Sequence, residues 1–263
     1  MAEEPVLLET EENIATITLN RPAKLNPLDE PIREGLTGAI ETIARESSVR
    51  VVVITGAGRG FCSGGDLEIM MELKREHHAA LFRGYLEAGH HLVKKIRSIP
   101  MPVVASINGP AAGAGMNLAL ACDLRIASER ATFTQAFAKV GLHPDWGGTF
   151  FLPRLVGIGR AMEMFFLGDP VCAEEAHRLG LVNYLVPHDQ LAAETHKLAQ
   201  RLASAAALPL ALLKQSYYRR LETELDTILE QEVEAQMKCF ESEDFTEGIQ
   251  AFLEKRPPKF HGA

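Results

Sequence analysis

The chain has only four cysteines, Cys62, Cys122, Cys172 and Cys239, spaced 50 to 67 residues apart, and none belongs to a C-x-x-C pair. That absence excludes a zinc knuckle and a thioredoxin-type couple and points to free thiols in a reducing compartment. No H-E-x-x-H or comparable spacing occurs. The adjacent pairs His77-His78 and His90-His91 point to different sides of a helix, so no metal is expected. Basic residues are in the minority: 27 Lys and Arg against 35 Asp and Glu give a formal charge of −8. A phosphate-tracking nucleic-acid binder is therefore not expected. The start, Met1-Ala-Glu-Glu-Pro, lacks the basic and apolar regions of a secretory signal. Residues 103–122 are mostly apolar but contain Asn108, Pro110, Asn117 and three glycines without a basic flank, which rejects a membrane span. A cytoplasmic protein without membrane partners is expected.

What is present is globular in proportion: 46% hydrophobic and 24% charged residues, which excludes disordered and collagen-like chains. A chain of this size buries about 75% of its unfolded surface, so a core needs neither disulfides nor metal. Strand patterns cover 6–9 and 14–19. A helix follows from about Pro31 to 46, and 51–55 reads as a strand buried on both faces. Asp66 can cap a long helix reaching about 99, with Leu81, Tyr85, Leu92 and Ile96 at helical spacing. Further strands are expected at 102–107, 124–127 and 131–134, with a helix ending near 121 before the second of them. From 162 onward the pattern is helical, interrupted by a strand at 182–185. A helix over 210–237 carries Tyr217, Leu221, Leu225 and Ile228 at helical spacing. Between Glu222 and Glu247 ten acids face one base, Lys238, which reads as a solvated helix face. The plan is α/β with a helical C-terminal portion.

Two glycine loops join buried strands to helices: Gly56-Ala-Gly-Arg-Gly-Phe-Cys-Ser-Gly-Gly-Asp66 and Asn108-Gly-Pro-Ala-Ala-Gly-Ala-Gly-Met-Asn-Leu-Ala119. Such junctions offer unpaired N–H groups and a helix dipole, suited either to phosphate or to a developing oxyanion. The dinucleotide pattern G-x-G-x-x-G fails in both, because Phe61 and Leu118 stand at the third glycine position. No Gly-Lys-Ser/Thr P-loop occurs. Ser63-Gly-Gly does not complete G-x-S-x-G, and Cys62, with no base identified beside it, reads as a small packing residue.

These loops resemble the enoyl-CoA hydratase/isomerase (crotonase) superfamily, in which a Phe-x-x-Gly-x-Asp loop and an Asn-Gly-x-Ala-x-Gly-Gly-Gly loop each donate one N–H to a thioester oxygen. The resemblance runs from Leu19-Asn-Arg-Pro-Ala-Lys-Leu-Asn26 through Ala121-Cys-Asp123 and Pro144-Asp-Trp-Gly-Gly-Thr149 to Ser242-Glu-Asp-Phe-Thr-Glu-Gly-Ile-Gln-Ala-Phe-Leu-Glu-Lys-Arg256. It implies an α/β fold with a crotonase-like ββα superhelix core. Residues 1–200 would hold the acyl-CoA site, and 201–263 would form a helical trimerisation region of a homotrimer or homohexamer. Coenzyme A would be part of the substrate, with no separate cofactor. The implied oxyanion-hole amides are those of Gly65 and Ala114, the latter standing where the family usually has glycine. Implied substrate contacts are Lys24, Leu25, the run Ser63, Gly64, Asp66 and Leu67, then Gly113, Asn117, Phe137, Trp146 and Lys255.

The family's hydratases hold a water between two glutamates. At those positions this sequence has Asn117 and Phe137, neither of which takes up a proton at ordinary pH. Asp145 remains, in a Pro-Asp turn where aspartate is common for structural reasons. In some family isomerases an aspartate at this position shuttles a proton along the acyl chain. The motifs look most like the members that isomerise ring-1,2-epoxyphenylacetyl-CoA in phenylacetate breakdown, and the same type of enzyme also moves double bonds. Desolvation near Phe137 and Trp146 should raise the Asp145 pKa. His143 is a possible helper, and Trp146, Phe150, Phe151 and Phe137 hint at an aromatic pocket. Hydration by an atypical acid–base set, and a catalytically weak acyl-CoA binder, stand as alternatives.

Overall fold

The structure, a computed structural model, describes residues 4–260 without the side chains of Arg220, Glu222 and Thr223. Residues 1–3, on which the secretory-signal reading fell, and 261–263 of the C-terminal region lie outside the described residues. Strands β1 (Val6–Glu11) and β2 (Ile14–Leu19) form a hairpin whose two turn residues, Glu12 and Asn13, have φ of +50° and +65°. Two left-handed turn residues give a twist that matches the flanking strands. Helix α1 (Glu30–Arg45) starts at Asp29, whose carboxylate accepts from the Ile32 N–H at 3.2 Å. Then come β3 (Val51–Gly56), α2 (Leu67–Arg75), α3 (Ala79–Ser98), β4 (Val103–Ile107), β5 (Ala111–Ala112) and α4 (Ala114–Ala121). Strands β6 (Leu124–Ser128) and β7 (Thr132–Thr134) lead to α5 (Gly148–Val156) and α6 (Ile158–Leu167). The chain finishes with β8 (Val171–Cys172), α7 (Ala173–Arg178), β9 (Tyr184–Val186), α8 (Leu191–Ala203), α9 (Ala207–Glu241) and α10 (Glu243–Leu253).

The six-stranded sheet has the order β1-β2-β3-β4-β6-β9, antiparallel in the first pair and parallel beyond it, and β5-β7-β8 make a smaller sheet. Alternation along β3 explains why its whole run is apolar. Val51 and Val53 pack with Val104, Ile126 and Leu198 under α8, while Val52 and Ile54 join the main core on the opposite face. The sheet's parallel core places the loops after β3 and β4 side by side. Among the described residues no helix is long and apolar enough to cross a membrane.

Several expectations are corrected. The helix expected from 67 to 99 is two helices, broken where His77 adopts φ +58°. The stretch between buried Leu73 and Phe82 supplies no buried large apolar side chain to carry one stripe through. In α3 the buried face is Phe82, Leu86, Leu92, Val93 and Ile96, and Leu81 is 53% exposed. The last strand falls at 184–186, because Leu181 and Val182 are spent in the core before it. Tyr217 is exposed on α9, whose inward stripe is Leu225, Leu229 and Val233. The acidic run is not wholly solvated: Glu232 is 1% exposed, because it points under the loop that follows the second glycine loop's helix and β7.

Candidate active site

Asn26 organises the first glycine loop. Its buried side-chain amide donates to the carbonyls of Ala57, Gly60 and Phe61 at 3.0–3.2 Å and its oxygen accepts from the Arg21 N–H at 2.8 Å. The loop then runs against the second one, with Cys62 bridged to Ala111. Gly64 has φ +89°, and a Cβ there would sit 2.7 Å from the Ala112 carbonyl oxygen and 3.4 Å from the Ala114 nitrogen. Only glycine permits that approach. Ala114 opens α4, and no backbone hydrogen bond among the described residues takes the N–H of either Gly65 or Ala114. Two free donors thus converge, one backed by a helix dipole. Asp66 uses its carboxylate to cap α2, accepting from Glu68 and Ile69 at 3.0 and 3.3 Å.

A cavity of about 540 Å³ opens beside these donors, with Lys24, Ser63, Gly64, Gly65, Asp66, Leu67, Gly113, Ala114, Phe137 and Asp145 all in its wall. Trp146 lines a small recess that shares Gly65, Asp66, Ala114 and Asp145 with the cavity. Three of the expected substrate contacts line neither space. Leu25 turns away to pack on Gly60 while its carbonyl holds the Ser63 N–H at 2.9 Å. Lys255 is exposed beyond the end of α10, although Phe252 and Leu253 before it do reach the cavity. Asn117 is buried behind the wall, where its Nδ2 donates to the Asp145 carbonyl at 2.8 Å and its Oδ1 accepts from Gln135 at 2.7 Å. It supports Asp145 without facing the cavity. Phe150 and Phe151 are also core residues and do not line this cavity, since α5 turns them away from it.

Asp145 is 3% exposed, and its Oδ1 has no hydrogen-bond partner among the described residues. Oδ2 accepts from Gln236 Nε2 at 3.3 Å. Burial pushes this carboxyl well above the ordinary carboxylate range, the nearby Glu232 charge adds to the effect, and the Gln236 hydrogen bond opposes it. Lys24 at the mouth lies between Asp66 and Glu68, so those carboxylates have other work. Glu232 and Gln236 come from α9 and are absent from the sequence-based site. Glu232 accepts from the N–H groups of Gly147 and Thr149 at 2.8 and 3.0 Å and from the Thr149 hydroxyl, and Gln236 accepts from the His143 N–H at 2.7 Å. Their signal was available. Both lie on the face of α9 that also holds Leu225, Leu229 and Phe240, so they are polar residues inside an apolar helical stripe.

Trp146 takes φ +52°, an uncommon conformation for a bulky residue, and its indole lies on Gly89 of α3. A Cβ at residue 89 would come within 2.4–2.9 Å of the ring. Gly89→Ala is therefore expected to destabilise by roughly 1–3 kcal/mol, and to lower activity, because Trp146 adjoins Asp145. Thermal melts and turnover of the purified variant check both. His143 lies outside the cavity wall, with Nδ1 2.6 Å from the Pro144 carbonyl. Among the described residues no group of three or more His, Cys, Asp and Glu is placed to hold a metal ion.

A sequence profile described as enoyl-CoA hydratase/isomerase matches residues 9–263. A Rhodobacter capsulatus protein named "Probable enoyl-CoA hydratase" is 41% identical over the full length of both chains. The Escherichia coli 1,2-epoxyphenylacetyl-CoA isomerase is 38% identical over 98% of each. The crystal structure of an enoyl-CoA hydratase from Mycobacterium avium subsp. paratuberculosis superposes with a TM-score of 0.88, at 38% identity and 98% coverage of each chain. Full-length similarity, the shared fold and the paired glycine loops lead to one conclusion: the chain belongs to the enoyl-CoA hydratase/isomerase family of the crotonase superfamily.

Proposed function

We propose that, within this family's acyl-CoA chemistry, the chain is an isomerase in which Asp145 carries the proton. The observation that supports this most is that Asp145 lines the cavity with an unpartnered carboxylate oxygen, while Asn117 and Phe137 occupy the positions of the two hydratase glutamates. In a double-bond shift, the thioester oxygen accepts from the Gly65 and Ala114 N–H groups. Asp145 removes a proton from C2 of a 3-enoyl-CoA, and the electron pair enters the C1–C2 bond as the carbonyl pair moves onto the thioester oxygen, giving a dienolate conjugated with the C3–C4 double bond. The same carboxylic acid then returns the proton to C4, leaving the double bond at C2–C3. A raised pKa suits a group that must both take and give a proton. Isomerisation of a ring epoxide would use the same oxyanion contacts.

In the same proposal the coenzyme is bound as part of the substrate along Lys24 and the backbone of Ser63, Gly64 and Leu67, with no further cofactor. Residues 201–263 would assemble trimers or hexamers in the cytoplasm. Exposed Leu208, Leu212 and Leu213 on α9 support an assembly surface. Sedimentation of the purified chain checks the assembly: a monomer would refute it.

The activity test mixes the protein with a 3-enoyl-CoA and, separately, with crotonyl-CoA, following the conjugated-enoyl absorbance. A rise with the first and little fall with the second is expected. A rapid fall with crotonyl-CoA would mean that hydration proceeds without the two glutamates, as the names of several relatives suggest for those proteins. No change with either, despite acyl-CoA binding, would leave the weak-binder alternative.

A further inference from the structure

The loop that carries Asp145 rests on Asn117 of α4 and, through Trp146, on Gly89 of α3, and four of its polar contacts come from a helix far away in sequence. Glu232 takes both N–H groups flanking the bend at Gly147 and Gly148, and Gln236, one turn later on α9, takes the His143 N–H and touches the Asp145 carboxylate. Gly147 has φ +76° and Trp146 φ +52°, so the bend departs from ordinary helical or extended backbone. A conformation of that kind persists only where its surroundings over-determine it. Glu232 costs the fold something as well. It is a carboxyl 1% exposed, with no cation of Lys or Arg within ion-pair distance among the described residues. A neutral side chain could have filled an apolar stripe more cheaply.

We propose that Glu232 and Gln236 are positioning residues for the reaction, fixing the bend that aims Asp145 into the cavity and acting on its carboxylate with opposite electrical sign. When ionised, Glu232 puts a second negative charge behind Asp145, which favours the protonated acid. Gln236 donates a hydrogen bond to Oδ2, which favours the carboxylate. In the recess that Trp146 lines, Asp29, Glu30 and Arg33 at the start of α1 and Tyr85 of α3 share the wall with Asp145; Asp29 is paired with Arg21, and the Arg33 guanidinium lies over the Tyr85 ring at 4.0 Å. From α3, His90 Nε2 lies 4.0 Å from Glu232, and burial holds that ring down to about 4, so it is neutral near pH 7. Lys94 on the same helix is engaged with Asp226 at 2.7 Å. His143, in the loop itself, turns its ring to the Pro144 carbonyl, and Asp66, across the cavity, caps α2. Burial raises Glu232 itself to about 7, against its hydrogen bonds from Thr149 and Gly147. The two carboxyls therefore titrate as a coupled pair.

The test is the pH profile of kcat for the double-bond shift in Glu232→Gln and Gln236→Leu. Loss of the carboxylate clamp, or of the amide, misplaces Asp145 and should lower kcat in both, by up to roughly a hundred-fold. The acid limb should move in opposite directions: about one unit lower in Glu232→Gln and higher in Gln236→Leu. A merely structural contribution would lower kcat or melting temperature and leave both limbs where they are in the parent protein, and that result overturns the proposal. If Glu232→Gln does not fold, the limb of Gln236→Leu still decides. Because both residues act only through Asp145, the proposal rests on Asp145 being the proton carrier, and the two ideas fail separately. Full turnover in Asp145→Asn refutes the carrier. A dead Asp145→Asn with unmoved limbs in the α9 variants refutes the positioning pair alone.

Discussion

Asp145→Asn is expected to lower isomerisation roughly a thousand-fold while acyl-CoA binding is unchanged and the protein becomes more stable. The activity loss follows from chemistry: general acid–base groups contribute about 10²–10⁴, and asparagine neither takes nor returns a proton. Binding persists because the substitution keeps the shape and still accepts from Gln236, and the oxyanion donors belong to other elements. The stability gain follows from linkage. Burial beside Glu232 raises the Asp145 pKa in the folded protein above its ordinary 3.8. The parent's stability contribution from this group is therefore complete only below about pH 4 and is lost as pH rises through the folded-state value. The variant should melt higher than the parent at pH 7–8, and the difference should vanish near pH 4. For the parent enzyme, kcat should fall toward acid with a limb well above the usual carboxylate range. Melting curves at the two pH values, calorimetric binding of an acyl-CoA and initial rates check each part. Retained turnover would remove Asp145 from the mechanism. A lower melting temperature at neutral pH would mean that the carboxylate is better solvated than its surroundings suggest.

Why this carboxylate was legible in the sequence, while the residues behind it were not, is a matter of distance along the chain. The strand runs 51–55 and 102–107, the cap at Asp66 and the two glycine loops are local patterns, each fixed by neighbours a few residues apart, and all appear close to where expected. The family resemblance then drew Gly65, Ala114 and Asp145 toward one place, and the fold sets them around one cavity. Asn117 shows the limit of position matching. Its place in the motif implied substrate contact, yet an amide at that site finds a nearer use holding the Asp145 carbonyl. Glu232 and Gln236 are harder still. Composition counted Glu232 among ten acids on a solvated face, because a charge run averages over a helix; only the spacing of Glu232 and Gln236 with Leu225, Leu229 and Phe240 marks the side that α3 and α5 cover. The break at His77 was hidden for a related reason: residues 76–78 carry no strong helix breaker, and the stop comes from which side chains the core accepts.

Ala114→Pro should remove one oxyanion donor without harm to the fold, lowering kcat by about 10²–10³. Proline is normally a harsh substitution in a helix, but residue 114 is the first of α4, the position where its fixed φ suits the helix and where no intrahelical N–H bond exists to lose. The preceding residue favours the change too. Gly113, with φ +51° and ψ −127°, has no Cβ to clash with the new ring. What disappears is the N–H that faces the cavity, and with it about 2.7–4 kcal/mol of transition-state stabilisation if a thioester oxygen binds there. The proline Cδ occupies the space of the lost hydrogen bond, so KM should rise as well. Ala114→Gly is the matched control: it keeps the donor, adds backbone freedom at a helix end and should stay within a few-fold of the parent. Circular dichroism and melting temperature establish that both variants fold. Rates on a 3-enoyl-CoA then separate the outcomes. Parent-like kcat in Ala114→Pro would mean that the oxygen is held elsewhere, and an equal loss in Ala114→Gly would point to helix geometry and not to the amide. A loss confined to proline assigns the charge stabilisation to the junction where the two glycine loops meet.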